Sequence, residues 1–371
     1  MEKIKYKITD NDSMLEVDDI HDYESDQSLR PELLKDYVGQ NEIKEMLNIY
    51  IKTALKRNEP LDHVLLYGPP GLGKTTLASI IANEMGTKFK IVSAPSLHRT
   101  GDLAALLVSL DPGDVLFIDE IHRLPRVLEE TLYSAMEDFR VDIVIGKDST
   151  AMARNIDLSA FTLVGATTRY GDISSPLRDR FGIVHGLNYY SVDDLKKIVN
   201  RTASIFDIAI DDDAALEIAK RSRGTPRIVN RLFRRVRDFA QFQDEKCRVI
   251  KLDITKIALD KQHVDEDGLD SLDRKYMETI IDRYKGGPVG LKALAASIGE
   301  EVATLEDICE PYLLQEGYII RTNRGRVVTE KGYRHLGYKY ESKWFWLLST
   351  GGAYCPNTTW GSKFFKVNGS K

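Results

Sequence analysis

A chain of 371 residues is too long for one compact core, so two or three domains are expected. Hydrophobic content of 42%, charged content of 29% and a net charge of -5 describe an ordinary globular protein, and no apolar run is long enough to span a membrane. Cys247, Cys309 and Cys355 are scattered without a CxxC pair, and no signal-peptide core is visible, which argues against a zinc site or disulfide framework and for the cytoplasm.

Residues 1–28 are acidic and lack an apolar period, as in a flexible arm. A helix is predicted from about Asn41 to Arg57, with Ile43, Met46, Leu47, Tyr50, Ile51 and Leu55 along one face. The apolar run 63–67 leads into Gly68-Pro69-Pro70-Gly71-Leu72-Gly73-Lys74-Thr75, and a helix-forming stretch beginning Thr76-Leu77-Ala78 follows. Strand, glycine loop and helix together make a phosphate-binding loop. Gly68, Gly71 and Gly73 let main-chain N–H groups turn toward an anion, Lys74 meets the β- and γ-phosphates, and Thr75 offers its hydroxyl to Mg²⁺. The chain therefore binds a nucleoside triphosphate.

Short buried strands are predicted at 89–92, 115–118 and 161–164, with helical segments among them, so a parallel sheet covered on both faces is expected. The second of these ends in Asp119-Glu120. Paired acids at a buried strand tip suit a metal or a substrate: Asp119 for Mg²⁺ through water, Glu120 for orienting or deprotonating the attacking water. Acids capping a helix are the plainer alternative. Alternation over 141–145 and 152–156 reads as a β-hairpin inserted at about 140–156, either an ordinary surface feature or a docking surface formed by Val141, Ile143 and Ile145. Residues 188–263 are helical in period, with a break at Arg223-Gly224-Thr225-Pro226. A third unit, 264–336, has helices near 273–284, 291–299 and 305–316, then strands 318–322 and 326–329 about Asn323-Arg324-Gly325, the outline of a winged helix. Basic surfaces at 220–223, 231–237 and 321–343 suit nucleic acid held by one face, or are solvated helix faces. The tail 337–371 is rich in aromatics and suggests no function.

Gly165-Ala166-Thr167-Thr168-Arg169, taken with the phosphate loop and the Asp-Glu strand, resembles the AAA+ ATPases. Four longer strings narrow the likeness: Asp119-Glu120-Ile121-His122-Arg123-Leu124, Ser175-Pro176-Leu177-Arg178-Asp179-Arg180-Phe181-Gly182, Arg223-Gly224-Thr225-Pro226-Arg227-Ile228 and Gly286-Gly287-Pro288-Val289-Gly290-Leu291. They are similar to the RuvB family of bacterial Holliday-junction branch-migration motors, over about 29–337.

The resemblance implies an α/β AAA+ P-loop domain over 29–187 (parallel sheet with flanking helices), a helical lid over 188–263 and a C-terminal winged helix. It implies ATP or ADP with Mg²⁺ at Thr75 and Asp119. Leu29, Arg30 and Val38-Gly39-Gln40 would line the adenine site, and Gly71, Gly73, Lys74, Thr75 and Thr76 would hold the phosphates. Thr168, or its neighbour Thr167, would sense the γ-phosphate. Arg180 would be an arginine finger offered to the adjacent subunit, Arg227 a second sensor, and Tyr190 and Glu137-Asp138-Phe139 further nucleotide contacts. Arg321, Arg324 and Arg326 would meet DNA phosphates, with Arg321 and Arg326 favoured. The hairpin would dock on RuvA, the RuvC resolvase would join a larger complex, and a ring of six would act in recombination, DNA repair and the SOS response.

On the residues alone, Arg178 and Arg180 could pair with Asp179 at the surface, Arg227 could cap a helix, and the wing arginines could simply be solvated. Residues 93–99 depart from the family's usual wording, outside the catalytic constellation. A clamp-loader-like ATPase and a winged-helix regulator that uses ATP only as a ligand are the rival readings. The string 286–291 speaks against the first, Glu120 and Arg180 against the second.

Overall fold

The computed structural model of the chain describes residues 29–145, 152–245 and 247–340. The acidic arm, the tip of the inserted hairpin and the tail from 341 onward lie outside the described residues. The chain divides into two compact units between Asp270 and Ser271.

The first unit is built on five parallel strands: β1 (Val64–Tyr67), β2 (Phe89–Ser93), β3 (Val115–Asp119), β6 (Thr162–Thr167) and β7 (Ile183–Gly186), in the order β2-β3-β6-β1-β7. Period-two geometry explains their unbroken apolar runs. Val64, Leu66, Val115, Phe117, Val164 and Ala166 join the core on one face, whereas Leu65, Leu116, Ile118 and Leu163 join a separate core on the other. Helices α1 (Asn41–Arg57) and α2 (Lys74–Met85) supply Leu47, Ile51, Leu77 and Ile81 to the first face. Helices α3 (Thr100–Val108) and α4 (Arg126–Glu137) supply Leu103, Leu107, Leu128 and Leu132 to the second. Phe117 is fully buried, so truncation to alanine there costs about 3–5 kcal/mol.

The expected insertion is an antiparallel hairpin, β4 (Arg140–Ile145) with β5 (Met152–Asp157), in a register running from Arg140 opposite Asp157 to Ile145 opposite Met152. Val141 is buried in its own domain, so it is no part of an exposed docking face. Strand β7 was not among the expected strands. It is a four-residue edge strand with an intermittent burial pattern, which carries little apolar signal.

Four helices follow: α5 (Val192–Ile205), α6 (Asp212–Lys220), α7 (Pro226–Gln243) and α8 (Leu252–Lys261). Two-residue parallel strands, β8 (Ala209–Ile210) and β9 (Val249–Ile250), pair in the connections between these helices and are too short to register as a sequence pattern. Leu195, Val199, Ile218, Val229, Phe233 and Val236 belong to the same continuous apolar cluster as Leu66 and Ile81 of the sheet layer.

The second unit opens with α9 (Ser271–Tyr284) and α10 (Leu291–Ile298). A helical run over 302–315 comes next, with a wide turn at Leu305–Cys309. An antiparallel hairpin follows, β10 (Ile319–Thr322) with β11 (Gly325–Val328), and Glu330–His335 closes the unit as a short helix. Gly325 has φ +136, and a Cβ there would lie 2.2 Å from the Val289 carbonyl oxygen, so only glycine lets the bridge between Val289 and Arg326 close.

Candidate nucleotide site and basic hairpin

The carboxyl ends of β3, β6 and β1 are neighbours, and they bring Asp119, Thr167 and Gly68 to one edge of the sheet, where open α/β sheets take ligands. A cavity opens there. Leu29, Arg30 and Val38 line it together with Asp119, Glu120 and Thr168. Gly71, Gly73, Lys74, Thr75 and Thr76 of the phosphate loop and the helix after it contribute, as do Tyr190 and Arg227. Gly39 and Gln40 stand back from the lining: a Cβ on Gly39 would meet the Tyr190 ring at 2.6 Å, and Gln40 donates to the Asn188 carbonyl.

Positive φ at Gly71 (+78) and Gly73 (+99) shapes the loop, and both glycines are also in tight quarters. A Cβ on Gly73 would lie 2.8 Å from the Tyr37 hydroxyl, and one on Gly71 would lie 2.8 Å from Thr225 Cγ2 and 3.1 Å from Arg227 Cβ. The Arg227 main-chain N–H donates to the Gly71 carbonyl at 3.4 Å, so loop and lid helix touch through backbone. Tyr190 donates to Tyr37 Oη at 2.8 Å, and both phenols lie within reach of the Leu72 carbonyl. Burial pushes the Tyr190 phenol up to about 12, which keeps that pair neutral.

Lys74 is 7% exposed and donates Nζ to the carbonyls of Gly68 (2.8 Å) and Pro69 (2.9 Å). Burial lowers its pKa to about 8, against the pull of Asp119 and Glu120 in the other direction and with a smaller push from Arg227. Glu120 sits in the left-handed region at φ 51, and its N–H donates to Asp119 Oδ1 at 2.9 Å. The two threonines at the end of β6 have different surroundings. Thr168 lines the cavity, whereas Thr167 is fully buried with its hydroxyl 3.0 Å from His122 Nδ1.

Tyr37, Ile198, Arg201 and Asn230 also line the cavity and were not foreseen. Asn230 lies one helical turn beyond Arg227 on α7, a spacing that could have marked it. Thr202 donates to Asn230 Oδ1 at 2.9 Å. Burial pushes the Arg201 guanidinium down, with Asp36 partly countering.

Arg180, Glu137, Asp138 and Phe139 are not brought to this cavity within the chain. Arg180 pairs with Glu137 (3.1 Å), donates to the Pro176 carbonyl (2.7 Å) and lies over the Tyr133 ring at 4.4 Å. Its partner is thus Glu137 rather than Asp179, and Arg178 lies over the Tyr170 ring. Phe139 packs edge-on against Phe161, and the Asp138 N–H closes α4 on the Ser134 carbonyl.

In the second unit the three arginines of the hairpin differ sharply. Arg324 is exposed at the turn, and Arg321 is 56% exposed with Glu306 Oε1 at 3.5 Å. Arg326 is buried, and its Nε and Nη2 reach both oxygens of Glu310, at 2.8 and 3.1 Å. The buried Tyr276 hydroxyl donates to the same carboxylate at 2.7 Å. Glu310 holds the Arg326 guanidinium pKa above its usual value. The expectation that Arg326 presents its charge to DNA is corrected accordingly: it ties β11 to two helices, because a buried carboxylate requires a counter-charge.

Models of three protein domains match the chain in succession. They are the Holliday junction DNA helicase RuvB P-loop domain over residues 29–187, the RuvB AAA lid domain over 190–265 and the RuvB C-terminal winged helix domain over 266–337. The Holliday junction branch migration complex subunit RuvB of Acholeplasma laidlawii is 61% identical over 312 residues, covering 84% of this chain and 92% of that protein. The protein of the same description from Lactobacillus gasseri is 58% identical over 311 residues, 84% of this chain and 91% of its own. Among solved structures, the Thermotoga maritima RuvB Holliday junction branch migration motor superposes with a TM-score of 0.78 at 53% identity, over 85% of this chain and 100% of that one.

Proposed function

The chain belongs to the RuvB family, and from that premise we propose that it is a ring-forming ATPase whose reaction is completed between neighbouring subunits. Its activity is ATP-driven branch migration of Holliday junctions. The observation that carries the ring is the position of Arg180: it lies outside the cavity lined by its own Lys74, Asp119 and Glu120, on a surface shared with Glu137. Arg180 can therefore stabilise a transferred phosphoryl group only in the cavity of another copy, beside the Lys74 and Arg227 which that copy supplies itself.

Within one subunit, Lys74 and the loop N–H groups hold the phosphates, Thr168 meets the γ-phosphate or the attacking water, and Glu120 orients and deprotonates that water. Leu29, Arg30, Val38 and Tyr190 enclose the base and sugar. Among the described residues no cluster of three or more His, Cys, Asp or Glu side chains could hold a metal unaided. Thr75 and Asp119 supply hard oxygen donors at one cavity and fit a Mg²⁺ ion shared with substrate phosphates. That ion would neutralise charge on the β- and γ-oxygens. Arg227 and the backbone contact between Gly71 and Arg227 carry nucleotide state into the lid.

The working parts are taken as 29–187, 188–263 and 264–336, the last gripping DNA phosphates through Arg321 and Arg324. The partners are RuvA, met by the hairpin 140–156, and RuvC in a larger complex; the ring has six copies. No helix among the described residues is long and apolar enough to cross a membrane, and the bacterial cytoplasm is the proposed site of action.

The deciding experiment is ATP-dependent dissociation of a synthetic four-way junction, with and without a RuvA-type protein, beside a linear duplex control. Partner-stimulated splitting supports both the motor and the docking. ATP hydrolysis without action on the junction, cognate partner present, would shift the reading to another AAA+ function.

A further inference from the structure

Glu120 does not stand alone at the end of β3. The chain turns through φ 51 at Glu120 and enters a single tight helical turn, Ile121–Arg123, which carries His122 back toward β6. The His122 side chain is 7% exposed, with Nε2 3.4 Å from Glu120 Oε2 and Nδ1 3.0 Å from Thr167 Oγ1. The same hydroxyl accepts the Arg169 main-chain N–H at 2.9 Å.

We infer that His122 is a positioning residue: it sets the orientation of the Glu120 carboxylate from the sensor strand, through a one-way chain from Arg169 N–H to the Thr167 hydroxyl, to the imidazole, to the carboxylate. The inference rests on Glu120 being the group that activates water. The direction of the chain follows from its ends. A carboxylate only accepts, so the proton of the neutral ring is on Nε2, which faces Glu120 Oε2, and Nδ1 is left as an acceptor. Thr167 Oγ1 therefore donates to Nδ1 while accepting the Arg169 main-chain N–H. Burial pushes the His122 pKa down, which keeps the ring in this neutral tautomer.

Period two at the end of β6 gives the chain its use. Thr168 faces the cavity and Thr167 faces inward, so a shift of the strand end when Thr168 engages phosphate moves the hydroxyl that holds His122. The carboxylate is thereby joined to the strand end that carries the sensor. Orientation errors of this kind cost about a hundredfold in rate with little effect on ground-state binding.

The test measures ATPase turnover, affinity for a non-hydrolysable ATP analogue and Tm in the full-length protein. The variants are His122→Ala, His122→Gln, Thr167→Val, Thr167→Ser and the His122→Ala/Thr167→Val double, with Glu120→Gln and the unmodified chain as references. Expected for His122→Ala is a fall in kcat of about a hundredfold, with analogue affinity unchanged and only a modest fall in Tm. Glutamine, which keeps a donor toward Glu120, should recover about tenfold, and the double variant should be no slower than His122→Ala alone. Normal turnover in His122→Ala, additive losses in the double, or losses of affinity and Tm in step with kcat would each overturn the proposal. If His122→Ala does not fold, a fast Thr167→Ser beside a slow Thr167→Val supports it, and equal rates overturn it. Turnover persisting in Glu120→Gln would dismiss Glu120 itself, whereas a dead Glu120→Gln beside a normal His122→Ala dismisses only the role of His122.

Discussion

Arg321 and Arg326 are directly opposite one another across the winged-helix hairpin, and they are met by two glutamates, Glu306 and Glu310, spaced one helical turn apart. Like charges facing across a ladder repel, so the two carboxylates are what make the pairing tolerable. The two pairs are unequal in depth. Removing Arg326 strands a carboxylate that is 2% exposed, and Arg326→Ala should cost about 3–5 kcal/mol of stability in the second unit, read as a lower Tm or denaturant midpoint. Arg326→Met combined with Glu310→Leu and Tyr276→Phe should restore most of it, since apolar replacement of a buried pair is often neutral once no hydroxyl is left without its acceptor.

Arg324→Ala and Arg321→Ala should leave Tm almost unchanged, within about 0.5 kcal/mol, because both side chains are exposed. Each should weaken duplex binding equally for all sequences and reduce the salt slope of log K by about one. Sequence-dependent losses would show that the hairpin reads bases instead.

Arg180→Ala should bind nucleotide normally and lose about 10³-fold or more in turnover. Mixing it with Lys74→Ala tests the shared site directly. Neither protein alone should hydrolyse ATP, but mixed rings contain interfaces with an intact Lys74 on one side and an intact Arg180 on the other. Measurable turnover in the mixture, absent from both parents, is the expected result.

Lys74 links nucleotide affinity to pH. Its pKa is lowered to about 8 by burial, and only the ammonium form pairs with phosphate. Affinity is therefore steady below pH 8 and falls as pH rises through it, by about eightfold between pH 7.5 and pH 9. Lys74→Arg, charged throughout this range, should flatten the profile whatever its absolute affinity. Titration calorimetry across that range is the check.

Gly71→Ala places a methyl group 2.8 Å from Thr225 Cγ2, at a φ of +78 that alanine disfavours by about 1–2 kcal/mol. The new group can be accommodated only by parting the loop from the start of α7. Nucleotide affinity should drop with Tm, and Arg227→Ala should then add less to the affinity loss than it does in the unmodified chain.

Much of the nucleotide site was legible in advance because its determinants are local. Glycines at fixed offsets, a lysine, and acids at the end of an apolar run each declare their role within a few residues. Tyr37 and Arg201 declare nothing locally, since they reach the cavity only after α5 and the segment before α1 have packed. The burial of Arg326 was hidden for the same reason. Arg321, Arg324 and Arg326 look alike in a basic string, and only the distant Glu310 and Tyr276 distinguish the third. Thr167 and Thr168 were inseparable in sequence, and the structure separates them: Thr167 ends β6 fully buried, and Thr168, just beyond the strand, lines the cavity.

The apolar cluster that runs without a break from the sheet layer into α5 and α7 limits how the lid can move. Interlocked side chains do not stretch, and they offer a few alternative fits with barriers between them. Any movement of the lid would accordingly go by shear from one fit to the next, in discrete clicks rather than as a smooth swing.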